Sequence, residues 1–317
     1  MEYRQLGNTD LKVAPLTFGG NVFGWTVDED TSFELLDGFT AAGFNLIDTA
    51  DMYSRWKPGN SGGESETIIG NWMKERVNRS DVIIATKVGA DMGLGDKRLS
   101  KKYVLLEVAA SLKRLQTDYI DLYQTHFDDA DTPIEETLET YQQLINEGKV
   151  RWIGASNLSP ERLKASLDIS KKSGYPSYQT FQPQYNLMER EVFEKELEAI
   201  CVANNLGVIN YFSLASGFLT GKYRTEADFT KSARGGGVKK YLDEKGLKVL
   251  AALDKVAAEL NTTPASVAIA WLIARPSITS PIASATNLGQ LKALIDAAEL
   301  GLTKEGIDLL DTASAWQ

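Results

Sequence analysis

Four side chains that together could deliver a proton to a carbonyl oxygen occur within the first 126 residues of the chain. Asp48 and Tyr53 stand close together, Lys87 ends an apolar run, and His126 is the only histidine. A phenol has an ordinary pKa of about 10, and a neighbouring ammonium lowers that value by stabilising the phenolate. An aspartate can pair with the lysine, and a histidine can orient a carbonyl or share its proton. These residue types therefore predict carbonyl chemistry.

The composition excludes several other kinds of site. The chain of 317 residues has 34 basic and 43 acidic side chains and a net charge of −9, which argues against a nucleic-acid partner. One histidine and one cysteine, Cys201, rule out a zinc site of the usual His/Cys type, so no metal is expected. The single cysteine excludes an intrachain disulfide and indicates a reducing compartment.

The ends and the apolar runs of the sequence predict a cytoplasmic protein with no membrane partner. The N-terminus lacks the basic and apolar regions of a secretory signal. The most apolar stretch, residues 267–274, is too short to span a bilayer. No stretch resembles an interdomain linker, so residues 1–317 are expected to form a single domain.

Short runs rich in β-forming residues alternate with segments of helical periodicity. The eight predicted strands cover residues 16–19, 45–50, 82–87, 119–126, 150–157, 178–185, 207–213 and 278–284. The predicted helices cover residues 31–42, 64–75, 101–115, 134–147, 160–173, 191–204, 245–260, 265–274 and 304–312. Ser159-Pro160 and Thr132-Pro133 are typical helix starts.

This alternation predicts an α/β fold, a (β/α)₈ TIM barrel. The rival fold is an open doubly wound sheet, which should carry a glycine-rich phosphate turn after its first strand. The first strand instead runs into FGGNVFGW, which has no G-x-G-x-x-G pattern. Residues 3–13 predict a β-hairpin that could close the barrel bottom.

In a barrel, active sites gather at the C-terminal ends of the strands. Asp48, Tyr53, Lys87 and His126 fall at or just after three consecutive predicted strand ends. Each alone has an ordinary structural explanation, such as a solvated strand end or a loop anchor, but the set is harder to explain in that way. No pair of carboxylates stands at the strand ends, which counts against glycoside hydrolysis.

Several motifs carry a resemblance to a known family. NLIDTADMY (residues 45–53), ATKVG around Lys87, DLYQTHFDD around His126, and then GASN, QPQYN and LASGFLTGKY follow one another. Together they resemble the aldo-keto reductase superfamily over nearly the whole chain. The chain resembles bacterial-type members and looks closer to the branch of the potassium-channel β-subunits than to the steroid reductases.

The resemblance implies a (β/α)₈ barrel that reduces aldehydes or ketones to alcohols with NADP(H). It implies that Tyr53 is the general acid, that Lys87 and Asp48 tune it, and that His126 orients the carbonyl. Small-molecule carbonyls or alcohols are the expected substrates. The protein is expected to be a monomer or a weak homo-oligomer.

The same resemblance assigns the cofactor residues. Ser156, Asn157 and Gln182 would bond the nicotinamide carboxamide, and Tyr211 would stack on its ring. The other predicted cofactor residues are Gly20, Asn21 and Asp48 near the first two strand ends, Phe212, Ser213, Leu214, Ser216, Lys222 and Arg234 over the pyrophosphate, and Ser284, Thr286 and Gln290 after the eighth strand. Residues 213–278 also form a long, glycine-rich and basic gap, which suits a loop that closes over a diphosphate.

Two regions depart from the family pattern. Many relatives grip the 2′-phosphate of NADP with basic residues, whereas Thr286 and Gln290 can bond a phosphate without neutralising it, and the nearest cation in sequence is Lys292. NADP(H) is therefore expected as the main cofactor, with NAD(H) use plausible. The loop over residues 54–63 is long, and its Trp56 could form an aromatic substrate wall with Trp25 and Phe127, or simply pack the loop.

Three further interpretations stay open on the sequence alone. The short tail, residues 313–317, could leave the barrel mouth open, or Trp316 could fold back on it. The chain could be a cofactor-binding regulatory subunit with little turnover, as in the channel β-subunits. It could also be a barrel lyase or aldolase that uses Lys87 as a Schiff base.

Overall fold

The computed structural model describes residues 1–93 and 98–316 and contains a ring of parallel strands. The strands are β1 (Arg4–Gln5), β2 (Lys12–Val13), β3 (Thr17–Gly19), β4 (Leu46–Asp48), β5 (Ile83–Val88), β6 (Ile120–Thr125), β7 (Val150–Ser156), β8 (Thr180–Gln182), β9 (Gly207–Val208) and β10 (Ile282–Ala283). The last eight pair in parallel, in the order β10-β3-β4-β5-β6-β7-β8-β9.

Backbone hydrogen bonds close this sheet into the predicted barrel. The Thr279 amide donates to the Val208 carbonyl over 2.8 Å, and the Ile282 amide donates to the Asn210 carbonyl over 2.9 Å. The two ends of the eight-stranded order are therefore bonded to each other, which leaves the sheet without an edge. The (β/α)₈ prediction is confirmed.

Helices follow the strands along the chain. They are α1 (Glu29–Ala41), α2 (Glu64–Arg76), α3 (Lys101–Leu115), α4 (Ile134–Asn146), α5 (Pro160–Ser173), α6 (Glu198–Ala203), α7 (Glu244–Glu259), α8 (Pro264–Ile273), α9 (Leu288–Glu299) and α10 (Lys304–Ala313). The predicted helix 191–204 includes a π-helical turn, Phe193–Leu197, before α6. Helix α9 was not predicted from the sequence; it begins where the Asn287 side chain accepts from the Gln290 amide.

One of the two predicted helix starts, Ser159-Pro160, has the expected N-cap, and the other, Thr132-Pro133, does not. Ser159 accepts from the Arg162 amide, and Pro160 occupies the first turn of α5. Before α4, in contrast, Thr132 donates its hydroxyl to Asp129 over 2.7 Å and caps no helix, because Pro133 itself stands at the N-cap position.

Prolines also explain why the sixth and eighth predicted strands are longer than the observed ones. Pro183 follows β8 directly and Pro281 precedes β10, and proline has no N–H to give to a ladder. The observed strands are therefore limited to three and two residues.

The N-terminal hairpin closes the bottom of the barrel, as predicted. β1 and β2 pair antiparallel, and Leu6 and Val13 are fully buried in the same cluster as Leu46 and Ile83 at the strand starts. A Cβ on Gly7 would lie 2.1 Å from the Gln179 carbonyl oxygen, and Gly7 has a φ of +62°. Only glycine fits there.

A second and larger core lies between the barrel and the helices. Trp72 of α2, Tyr141 of α4 and Trp271 of α8 are fully buried in it. Among the described residues, no single helix is long and apolar enough to cross a membrane. Helices α7 and α8 together have the length and apolar composition of a membrane span, but the chain bends by 94° between them.

Candidate active site

The four residues predicted to do chemistry meet at one end of the barrel. Asp48 is the last residue of β4, Lys87 lies near the end of β5, and His126 follows β6 directly. The Lys87 Nζ lies 2.6 Å from the Asp48 carboxylate and 2.8 Å from the Tyr53 hydroxyl. The rings of Tyr53 and His126 are 6.0 Å apart, edge to face.

The Lys87 ammonium is completely buried and fully bonded. Its three acceptors are the Asp48 carboxylate, the Tyr53 oxygen and the Thr49 carbonyl, the last at 2.8 Å. An ammonium has three donors, so no N–H is left over and the side chain is fixed. Burial lowers the pKa of Lys87, and the Asp48 carboxylate opposes that shift.

The other oxygen of Asp48 is held by two glutamine amides. Gln182 donates to it over 2.9 Å, and Gln124 donates over 3.3 Å. Gln124 was not among the predicted site residues. Strand alternation was the available signal, since Gln124 stands two residues before His126 and therefore faces the same side.

The pKa of Tyr53 differs from the sequence-based expectation. Burial first, and the Asp48 carboxylate second, raise it well above the ordinary value. The expected lowering by Lys87 is not seen because the ammonium is paired with Asp48 2.6 Å away, so the phenolate would lie beside a carboxylate in a dry site. Tyr53 is therefore a protonated phenol at neutral pH, which is the form that can donate a proton.

His126 lies almost buried beside Tyr53, with only 7% of its surface exposed. Its amide donates to the Val88 carbonyl over 2.7 Å, and the buried Nδ1 has no partner among the described residues. Burial, followed by the charge of Lys87, lowers the pKa of His126 well below its ordinary value. A neutral imidazole results, which can donate one hydrogen bond and accept another.

We expect the His126 imidazole to stay neutral as the pH is lowered from 8 through the ordinary histidine pKa of about 6.5, since burial lowers its pKa well below that value. His126 is the only histidine, so the untagged protein gives one imidazole C2–H signal in a proton NMR titration. That signal should keep its chemical shift across the range. A midpoint near the ordinary value would show that the imidazole is solvated or paired with an anion.

The residues predicted for the nicotinamide form a connected group. Asn157, with a φ of +53°, donates to the His126 carbonyl over 2.9 Å and accepts from the Tyr211 hydroxyl over 2.8 Å. The Ser156 hydroxyl donates to the Gln182 carbonyl over 2.8 Å. These contacts join the ends of β7 and β8 to the segment after β9, next to His126.

The segment after β9 has strained backbone. Phe212, Ala215 and Ser216 have φ values of +55°, +47° and +57°, a region that side chains other than glycine rarely adopt. Such residues cluster at ligand sites, where surrounding structure holds them in place. Lys222, in the same segment, lies over the Tyr223 ring and has no carboxylate partner among the described residues.

The predicted residues at the first and last strand ends also lie together. The Ser284 hydroxyl donates to the Asn21 side-chain oxygen over 2.7 Å. The Gln290 oxygen accepts from the amide and the hydroxyl of Thr286. Lys292 forms a salt bridge with Asp296, one turn along the same helix, α9.

Aromatic side chains surround Tyr53. Trp56 packs against Tyr53 and Trp25, with ring centroids 6.0 and 5.6 Å apart. Phe127 stacks on His126 at 4.4 Å. Trp56 is 43% and Phe127 39% exposed, and exposed apolar side chains that lie together can form a ligand surface. The predicted aromatic set is thus assembled around Tyr53 and His126.

Trp316 does not contact these aromatic residues. Its indole donates to Glu194 over 3.1 Å, on the helical segment after β8. In the part of the chain that the structure describes, no group of three or more His, Cys, Asp or Glu side chains could hold a metal ion.

The sequence profile of the aldo/keto reductase family matches residues 15–315. The chain belongs to this family. It is 35% identical to the uncharacterized oxidoreductase YrpG of Bacillus subtilis, over 98% of the chain and 95% of that protein. It is 34% identical to the aldo-keto reductase YhdN of the same organism, over 96% and 91%. A probable voltage-gated potassium channel β-subunit of Oryza sativa is 31% identical over 98% and 96%. The predicted family and branch are confirmed.

Proposed function

We propose that this aldo/keto reductase reduces aldehyde or ketone carbonyls to alcohols with NADP(H), and that Tyr53 is its general acid. The observation that carries the proposal is the buried ammonium of Lys87, which holds the Tyr53 hydroxyl at 2.8 Å and the Asp48 carboxylate at 2.6 Å. This arrangement lies at the barrel end where such folds place their active sites.

The protein side of the reaction is one proton transfer. When bound, NADPH supplies the hydride that reduces the carbonyl carbon. The Tyr53 hydroxyl gives its proton to the carbonyl oxygen as the C=O bond becomes a C–O single bond. The Lys87 ammonium stabilises the phenolate that remains, and the neutral His126 orients the carbonyl with a hydrogen bond. The alcohol then carries one hydrogen from the hydride and one from Tyr53.

The predicted cofactor residues suit a dinucleotide. Asn157, Ser156 and Gln182 would hold the carboxamide, and Tyr211 would cover the nicotinamide ring. Lys222 would pair with the diphosphate, because its ammonium has no carboxylate partner among the residues described. The consecutive positive φ values at Ala215, Ser216 and Gly217 mark strained backbone of the kind that clusters at ligand sites.

We expect only a modest preference for NADPH over NADH. The amide and hydroxyl of Thr286 already donate to Gln290, so a 2′-phosphate would have to displace these bonds and the net gain should be only about 1.5 kcal/mol. Lys292 is paired with Asp296. The ratio of kcat/KM for the two cofactors should therefore be about tenfold. Gln290→Arg should increase the ratio and Lys292→Met should leave it unchanged. A much larger ratio in the native protein, lost in Lys292→Met, would contradict this expectation.

A regulatory subunit with little turnover is the second candidate function. The similarity to a probable potassium channel β-subunit over 98% of the chain favours it. The complete set of Asp48, Tyr53, Lys87 and His126 favours turnover. The lyase hypothesis has less support than the reductase or the regulatory subunit. Lys87 is a fully bonded ammonium, whereas a Schiff base needs a free amine.

A cofactor titration followed by an activity screen tests the proposal. The purified protein should bind NADPH and oxidise it in the presence of some members of a panel of aldehydes and ketones. Binding without oxidation by any member would favour the regulatory subunit. Covalent trapping of a carbonyl on Lys87 by borohydride, without nicotinamide binding, would favour the lyase.

A further inference from the structure

Asp51 is a buried carboxyl group in the short turn between Asp48 and Tyr53. Its side chain is fully buried, and neither of its oxygens has a hydrogen-bond partner among the described residues. The Asp51 amide donates to the Lys87 carbonyl over 3.3 Å, and the Tyr53 amide donates to the Ala50 carbonyl over 3.2 Å. Asp51 therefore belongs to the turn that carries the proposed general acid, although the proposed proton transfer does not use it.

Two other buried carboxyl groups act on Asp51 through their charges. Glu66 of α2 accepts from the Arg114 guanidinium over 2.6 Å and from the Thr86 hydroxyl over 2.5 Å. Glu107 of α3 lies 3.8 Å from the same guanidinium. Arg114 is thus shared by two carboxyl groups, and it forms no ion pair with the third, Asp51, in the described part of the chain.

A buried carboxylate without a partner is costly, and such a group avoids the cost by keeping its proton. Burial first, and then the charges of Glu66 and Glu107, raise the pKa of Asp51 well above its ordinary value. The Met52 amide and the Arg114 charge oppose this shift. The other titratable groups on which Asp51 acts are the active-site ammonium and four phenols, Lys87, Tyr53, Tyr103, Tyr123 and Tyr141.

We propose that Asp51 is a positioning residue that works as a neutral carboxylic acid, and that loss of its proton sets the alkaline limit of carbonyl reduction. This inference rests on the proposed function of Tyr53. Buried carboxyl groups in proteins can keep their protons up to about pH 8–9, so the limit should fall on the alkaline side of neutrality.

The effect on the reaction follows from the charge that remains after proton transfer. When Tyr53 has given its proton to the carbonyl oxygen, a phenolate is left beside the Lys87 ammonium. Above the limit, Asp51 releases its proton to water and becomes a second carboxylate near that phenolate, in addition to Asp48. Like charges in a dry site repel each other strongly, so the proton transfer should become slower.

Two other groups at the site could also cause an alkaline loss of activity. Burial lowers the pKa of Lys87, and Tyr53 must itself be protonated in order to act. Asp51→Asn separates these causes, because the amide has the shape of the neutral acid but cannot ionise. A loss of activity that comes from Lys87 or Tyr53 would stay at the same pH in this variant.

The first test is the pH profile of kcat, measured from pH 6 to pH 10 with a carbonyl compound that the activity screen identifies. The native kcat should fall by about tenfold per pH unit above the limit. In Asp51→Asn the midpoint of this fall should move upward by about one pH unit or more. A midpoint that does not move would overturn the inference.

The second test detects the proton of Asp51 without relying on turnover. The infrared spectrum of the native protein in D₂O at neutral pD, minus that of Asp51→Asn, should contain the C=O band of a protonated carboxylic acid. Urea denaturation should show the same proton, because the folded state keeps it whereas the unfolded chain releases it. Between pH 5 and pH 7 the unfolding constant of the native protein should therefore rise about tenfold per pH unit relative to Asp51→Asn.

Asp168→Asn is the matched control. Asp168 is an exposed acid on α5, so this variant should keep the native pH profile, infrared band and unfolding constants. A native spectrum without the acid band, or unfolding constants of the native protein and Asp51→Asn that change in parallel with pH, would overturn the inference. If the band and the unfolding constants showed the proton but no carbonyl compound were reduced, the neutral acid would be supported and the reductase proposal refuted.

Discussion

Replacing Tyr53 by phenylalanine is expected to lower kcat for carbonyl reduction by about 10²- to 10⁴-fold, the usual contribution of a positioned general acid. The substitution removes only the hydroxyl, 2.8 Å from the Lys87 Nζ. The ring and its contact with Trp56 are kept. The dissociation constant for NADPH, measured by fluorescence titration, should stay the same, because no predicted cofactor contact is changed.

Tyr123→Phe is the matched control for this experiment. Tyr123 lies on β6, and its buried hydroxyl has no hydrogen-bond partner among the described residues. Removing that hydroxyl should leave kcat at the native value. If Tyr53→Phe also kept the native kcat, Tyr53 would not be the proton donor.

Lys87→Met is expected to damage both activity and stability. It removes the ammonium that holds Tyr53, and it leaves the Asp48 carboxylate buried, with 1% of its side chain exposed, and without its cation. Breaking a buried ion pair in this way typically costs about 3–5 kcal/mol. Urea denaturation should therefore show a large drop in the free energy of unfolding, and kcat should fall about as far as in Tyr53→Phe.

The double variant Asp48→Asn with Lys87→Met separates the two effects. A neutral amide replaces the unpaired carboxylate, so the unfolding free energy should recover toward the native value, whereas kcat should stay low. If Lys87→Met alone were as stable as the native protein, the buried Asp48 carboxylate would not need the Lys87 ammonium as its partner. Full recovery of kcat in the double variant would remove Lys87 from the mechanism.

The position of the candidate catalytic residues could be predicted because a barrel converts sequence order into geometry. Residues at the ends of successive parallel strands must meet at one rim. The proximity of Asp48, Lys87 and His126 could therefore be predicted from strand order alone. Motifs around the same positions then indicated the family. The hairpin that closes the barrel bottom was likewise visible in its turn residues.

The properties that depend on the surroundings of a group could not be predicted in the same way. The pKa of Tyr53 rises because burial and Asp48 outweigh an ammonium that is already paired, and residue types alone do not tell which contribution is larger. Arg234 lies on a long connection after β9, where strand order gives no position. Its contact with Trp25 depends on how that connection folds back.

Deuterium transfer tests the central claim most directly. The purified protein is incubated with NADPH that carries deuterium at both C4 positions of the nicotinamide and with each member of a panel of aldehydes and ketones, and the products are analysed by mass spectrometry. The proposed function predicts an alcohol with one deuterium on the former carbonyl carbon, formed by the native protein and lost in Tyr53→Phe. If the protein bound the cofactor but formed no deuterated alcohol from any aldehyde or ketone of the panel, the reductase assignment would be wrong and the regulatory role would be favoured.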